Sequence, residues 1–182
     1  MQNTPDEIDS LTGLGNRHLL MESLTIEVDR CHREDGHLAL LLMDLDGFMC
    51  VNHALGHDEG DKVLQSLARV LASAARPGST LARIGGDEFA VLLPQTDLES
   101  AAKYAETLRL LIENAHAGSP LRKKVEESIE LVCDRVFTMS IGVAVNLPGT
   151  EWGAQDLLRV AEDRMYRAKG NGRNQVWARA VP

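Results

Sequence analysis

Leu20, Leu24, Val28 and Cys31 recur every three or four residues behind Asn16, a spacing that predicts an amphipathic helix with Asn16 as its cap. HLALLLMDLDGF follows, a continuous apolar run of strand length that closes on two acids, as in a central strand buried on both faces. In GHDEGDKVLQSLARVLASAAR, Gly60, Val63, Leu64, Leu67, Leu71 and Ala74 share one helical face, with Pro77 and Gly78 expected to end the helix. ARIGGDEFAVLLP, residues 82 to 94, then reads as a hairpin. Leu81 and Arg83 lie before its turn, and Phe89, Val91 and Leu93 alternate after it. Gly85 and Gly86 are the expected turn, supplying positive φ, and Asp87 and Glu88 sit at the tip.

A helix from about Leu98 to Ala115 follows, capped by Asp97, with Ala101, Ala105, Leu108 and Ile112 facing in. GSPLRKKVEESIELVCDR reads as a short amphipathic helix opened by Ser119 and Pro120, with Leu121, Val125, Ile129 and Val132 in step, and a β-excursion as the alternative. FTMSIGVAV alternates large residues with Thr138, Ser140, Gly142 and Ala144, so its second face must be closely covered. A last helix carries Leu158, Ala161, Met165 and Ala168, with Gly170 or Gly172 as its cap, and QVWA is a short final strand. Strands interleaved with helices around one antiparallel hairpin predict an α+β (α/β-like) fold with a mixed central sheet.

The 182 residues, 44% hydrophobic and 25% charged, suit one globular domain. Leu38 to Met43, the longest apolar run, is far too short to cross a bilayer, and the start MQNTPDEIDS has no signal-peptide pattern. Cys31, Cys50 and Cys133 are odd in number and widely spaced, which indicates neither a disulfide framework nor a zinc site and fits a reducing cytoplasm. A formal net charge of -8 argues against broad binding to nucleic acid or to an anionic membrane. A phosphate-bearing ligand therefore needs local basic groups or a metal.

MDLDGF places Asp44 at the end of a buried strand, where an unpaired carboxylate is costly. If that strand neighbours the hairpin, Asp44, Asp87 and Glu88 converge into an oxygen-rich site suited to magnesium; otherwise the hairpin is a solvated acidic turn. Lys169 and Arg173 flank a glycine-rich helix end and can neutralise phosphates, or simply favour the helix dipole.

Several stretches taken together resemble the GGDEF domains, the diguanylate cyclases: DSLTGLGNR at 9 to 17, DLDGF with Asn52, GHDEGD at 56 to 61, RIGGDEF at 83 to 89, SIGVA at 140 to 144 and AEDRMYRAKGNGRN at 161 to 174. The resemblance implies a palm-like nucleotidyl cyclase fold over residues 9–182, with 1–8 a linker or the remnant of a longer chain. It implies condensation of two GTP into cyclic di-GMP with loss of pyrophosphate, dependent on Mg2+ or Mn2+, between two facing copies of the domain. Asp44, Asp87, Glu88 and the Leu45 carbonyl would hold metal, with Asp87 and Glu88 catalytic. Phe48, Asn52, Asp61, Gly85, Gly86, Lys169 and Arg173 would bind substrate. Asp61 would accept the guanine N1 and N2 protons, which adenine does not offer, although it also fits a first-turn acid on its helix. The resemblance further implies a cytoplasmic domain behind an N-terminal sensor region in a parent protein, tethered to a membrane or not, without nucleic acid and without direct membrane insertion.

Two departures stand out. Met49 and His53 replace the family's usual lysine and aspartate, so triphosphate binding leans on Lys169, Arg173 and metal, and His53 reads as a surface residue. The family's product-binding R-x-x-D motif keeps Arg76 but has Ser79 in place of the aspartate, and Thr107 stands about where a further arginine often contributes. A catalytically weak domain that binds GTP and signals to a partner is the alternative function. A cyclase with a different or mixed nucleotide product is another.

Overall fold

The computed structural model of the chain describes residues 5–115, 117, 120–128 and 136–178. Nine consecutive buried residues make β1 (Leu38–Asp46) the centre of a five-stranded sheet. β3 (Glu88–Pro94) and β4 (Thr138–Asn146) pair antiparallel on its two sides. β2 (Thr80–Arg83) closes one edge antiparallel to β3, and β5 (Val176–Trp177) closes the other parallel to β4, giving the order β2-β3-β1-β4-β5. The sheet is mixed, as the sequence predicts.

Alternation along β1 divides the core into two layers. Ala39, Leu41, Met43 and Leu45 face α3 (His57–Ser73) and α4 (Leu98–Ala115), together with Val51 of α2 (Phe48–Leu55) and Val125 of α5 (Pro120–Ser128). Leu38, Leu40 and Leu42 face α1 (Arg17–Glu34) and α6 (Ala154–Gly170). Leu41 is fully buried, and truncation to Ala there costs roughly 2–5 kcal/mol. Gly142 explains how closely α6 lies on β4: an added Cβ would run into the Ala161 carbonyl oxygen and the Met165 amide nitrogen.

The expected caps form. The Asn16 side chain accepts the Leu19 N–H at 3.1 Å, and Asp97 accepts the Ser100 N–H at 2.8 Å. α3 ends at Ser73, ahead of Pro77 as expected; its last turn tightens onto Ala74, whose carbonyl accepts the Tyr104 hydroxyl at 2.9 Å. Two readings need correction. The α6 cap is Asn171 rather than a glycine; Gly172, at φ +104°, follows it, and the Arg173 N–H closes onto the Ala168 carbonyl at 3.1 Å. α2 was not foreseen as a helix. Gly47, at φ +74°, turns the chain out of β1 directly into it.

Pro120 opens α5 as expected and Val125 is buried, whereas Ser119, Ile129 and Val132 lie outside the described residues. Cys31 is free and buried, and Cys50 is disulfide-bonded, which corrects the expectation of no disulfide: spacing along a sequence does not report which cysteines meet in space. Cys133 lies outside the described residues. No described helix is long and apolar enough to cross a membrane.

Candidate active site

Asp44 is 4% exposed and stands opposite Glu88 of β3 and Ser140 of β4. The alternation of β1 turns it toward α6, whose last turn supplies Lys169, with Nζ 2.5 Å from the Asp44 Oδ2. Burial pushes the Asp44 carboxyl up to about 7; the Lys169 hydrogen bond and charge pull it down, while Asp87 and Asp46 push it further up. One lysine does not balance this pocket of acids.

The hairpin is fastened to the same place. Its turn closes through the Ile84 N–H on the Glu88 carbonyl at 2.9 Å, and the Leu45 N–H donates to the Asp87 carbonyl at 3.1 Å. Arg83 spans the base, donating to the Gly86 carbonyl at 2.8 and 3.2 Å and to both Asp9 oxygens at 3.2 Å. Burial opposes ionisation of Asp9, but the Thr12 hydroxyl and amide, with Arg83, outweigh it and hold that carboxyl below its usual range. The turn does not use positive φ at Gly85 or Gly86, contrary to expectation. A Cβ at Gly85 would lie 2.7 Å from the Glu88 Oε2, the mobile end of a side chain that would have to shift.

Asp46, two residues on and 2% exposed, was not singled out by the sequence. It accepts from Thr138 Oγ1 at 2.8 Å, Ser140 Oγ at 2.7 Å and the Asn174 N–H at 3.0 Å. Asn174 in turn accepts from Arg109 at 2.6 Å and donates to Glu113 at 2.8 Å, so the loop carrying Arg173 is tied both to β1 and to α4. The pairing of two acids at i and i+2 was the available signal. Their distinct roles depend on partners about ninety or more residues away in the chain.

A second cluster lies where α2 meets α3. Asn52 packs against Gly60, with Phe48 beside it, and its buried Oδ1 finds no partner among the described residues. A buried polar oxygen without a protein partner calls for an explanation, of which a ligand is one. Asp61, exposed and adjacent to Gly60, lies beyond the first turn of α3, whose acids are Asp58 and Glu59, so the first-turn reading does not hold. Met49 is 71% exposed and His53 is exposed. Arg173 is exposed on the loop after α6.

Asp44, Leu45, Gly85, Gly86, Asp87, Glu88 and Lys169 are thus gathered at one end of the sheet. Among the described residues, no three His, Cys, Asp or Glu side chains form a ready metal shell. The donors nonetheless suit a hard cation: they are carboxylates, one of them is buried with excess negative charge around it, and the Lys169 ammonium already lies against it. The turn bearing Arg76 is elsewhere. The Arg76 guanidinium lies 4.2 Å from the Tyr104 ring centroid, and the Ser79 hydroxyl donates to the Arg76 carbonyl at 2.6 Å.

Comparison with known proteins gives one consistent result. The profile of the family "Diguanylate cyclase, GGDEF domain" matches residues 6–175. The chain is 39% identical to the diguanylate cyclase DgcP of Pseudomonas aeruginosa over 92% of its own length and 23% of that protein's. It is 38% identical to the diguanylate cyclase DgcM of Escherichia coli, over 93% and 38% of the two lengths. It therefore spans well under half of these relatives. Among solved structures, the GGDEF domain of DgcB from Caulobacter crescentus in complex with c-di-GMP superposes with a TM-score of 0.81 at 25% identity, over 97% of this chain and 98% of that one. The active GGEEF domain of a diguanylate cyclase from Vibrio cholerae gives 0.74 at 29% identity, over 91% and 98%. With the buried aspartate, the stapled acidic hairpin and these likenesses in place, the chain belongs to the GGDEF-domain family of diguanylate cyclases.

Proposed function

We propose that this domain condenses two GTP into cyclic di-GMP and pyrophosphate, with a divalent metal and a second copy of the domain. The observation that carries the reading is Asp44, a buried carboxylate held near neutrality beside the hairpin acids, with Lys169 as its counter-ion. A group so placed is stabilised by a bound cation, and perturbed carboxylates of this kind concentrate at functional sites. Asp44, Asp87, Glu88 and the Leu45 carbonyl would hold the metal, Mg2+ or Mn2+. When bound, the metal would lower the pKa of the ribose 3′-hydroxyl and offset charge on the α-phosphate. Lys169 and Arg173 would hold the triphosphate, and the free Asn52 oxygen with Asp61 would read the guanine edge, with Phe48 against the base. Each domain would present one nucleotide, so the reaction needs two such faces to meet.

Incubating the pure chain with GTP and MgCl2 is expected to yield cyclic di-GMP, identified by mass. Asp87→Ala and Glu88→Ala should make none while melting like the parent, and Asp61→Ser should relax the preference for GTP over ATP. GTP binding without product would instead favour a regulatory module, a reading to which exposed Met49 lends support by removing a positive group.

A further inference from the structure

A cavity of about 670 Å³ lies away from Asp44, at the far end of β4 where Val145 meets the start of α6. That is the size of a small-molecule site. Leu98, Val145 and Trp152 supply apolar walls. Three arginines, Arg159, Arg164 and Arg167, face a single acid, Asp163, on a chain whose net charge is -8.

Arg164 is the unusual member. It is 4% exposed, donates to the Val143 carbonyl one residue beyond the last β4–β5 pairing, and leaves its buried Nε without a partner among the described residues. Arg167 is already held by Asp163 at 2.8 Å, and Arg159 lies 3.7 Å from Asp156. No described carboxylate lies within ion-pair distance of Arg164; Asp163 favours its charge but is itself held by Arg167. A guanidinium buried without a directly bonded anion is poorly compensated, and its planar donors suit a carboxylate. A sheet-edge role alone needs one donor and leaves the rest unexplained.

We infer that this groove is a binding site for a small aromatic carboxylate, its acid group on Arg164 and its ring against Trp152, Leu98 and Val145. The site is separate from the nucleotide reading and does not depend on it. The test uses 15N-labelled full chain and 1-naphthoate as probe, followed through the indole N–H of Trp152 and the Nε–H of Arg164, with Trp177 as internal control. Saturable shifts at Trp152 and Arg164 but not Trp177 are expected, with the uncharged 1-naphthamide binding about tenfold more weakly or worse. Arg164→Met, which keeps the bulk and removes the charge, should lose naphthoate binding by a similar factor. Trp152 unmoved at about 10 mM naphthoate, equal binding of the amide, or unchanged binding by Arg164→Met would each overturn the inference. Should Arg164→Met fail to fold, the acid and amide compared on the parent chain decide it.

Discussion

Asp44 and Asp46 sit two residues apart on one face of one strand, both almost wholly buried, yet their surroundings differ in kind. Asp46 receives three hydrogen bonds from Thr138, Ser140 and Asn174, so its charge is answered within the fold. Asp44 has Lys169 and otherwise faces acids, and burial carries its pKa to about 7. The difference teaches how to separate structural from functional buried acids. A carboxylate whose partners are all protein is part of the architecture. One left short of positive charge is a candidate for a ligand.

The largest effect that can test this contrast is on turnover. Asp44→Asn, nearly isosteric, is expected to cut cyclic di-GMP synthesis on the order of 10³-fold while raising stability at about pH 8. The sign follows from the raised carboxyl. Between about pH 4 and 7 the folded parent binds more protons than the unfolded chain, so its stability falls as pH rises and is lowest, and flat, above 7. The variant carries no such penalty. Its advantage should be roughly 1–3 kcal/mol near pH 8, less than the full shift because Lys169 loses its partner, and should shrink on acidification toward pH 4. Melting curves across pH measure it, and a variant less stable than the parent at high pH would erase the contrast.

Asp46→Ala is expected to do the reverse. Three donors lose their acceptor, costing about 3 kcal/mol, or about 6–12 °C in Tm for a domain of this size. Remaining activity should track how well the loop bearing Arg173 stays in place, so lower temperature should recover part of it. A smaller test leaves both aspartates and changes the supply of positive charge: Met49→Lys should lower the KM for GTP by about three- to tenfold, read from initial rates. The smallest effect belongs to a turn joined to neither. With Arg76 over Tyr104 and Ser79 bonded back onto the Arg76 carbonyl, added cyclic di-GMP should slow initial rates less than about twofold. Strong non-competitive inhibition relieved by Arg76→Ala would show that the product site works without its aspartate.

The sheet and most of its helices were legible because their signals are local: alternation in β4, uninterrupted apolar residues in β1, and a fourfold step in α1, α3 and α4. α2 was not. FMCVNHAL spans barely two turns, buries only Val51, and begins at Gly47 without a side-chain cap. In the site, Asp44 announced itself as an acid closing a buried run. DLD alone cannot say that its second acid is the satisfied one, because Thr138, Ser140 and Asn174 arrive from the other end of the chain. The tie from Arg109 to Asn174, 65 residues apart, was hidden for the same reason. Gly85 and Gly86 do form the turn, but neither takes positive φ, a choice of turn geometry that the dipeptide alone does not reveal.

The pairing of β1 with both neighbours has a consequence for folding fidelity. Asp44 meets Glu88 on one side and Ser140 on the other, in a register that runs unbroken to Leu38. A slip by one residue would turn Asp44 and Asp46 toward Val63, Leu67 and Leu108, and send Leu45 out to Lys169. Two carboxylates driven into that apolar layer would each cost several kcal/mol, more than any alternative pairing could return. The two acids of β1 therefore also index it. Only a correctly aligned sheet is compact, so chains that fold at all emerge with their acids pointing the right way.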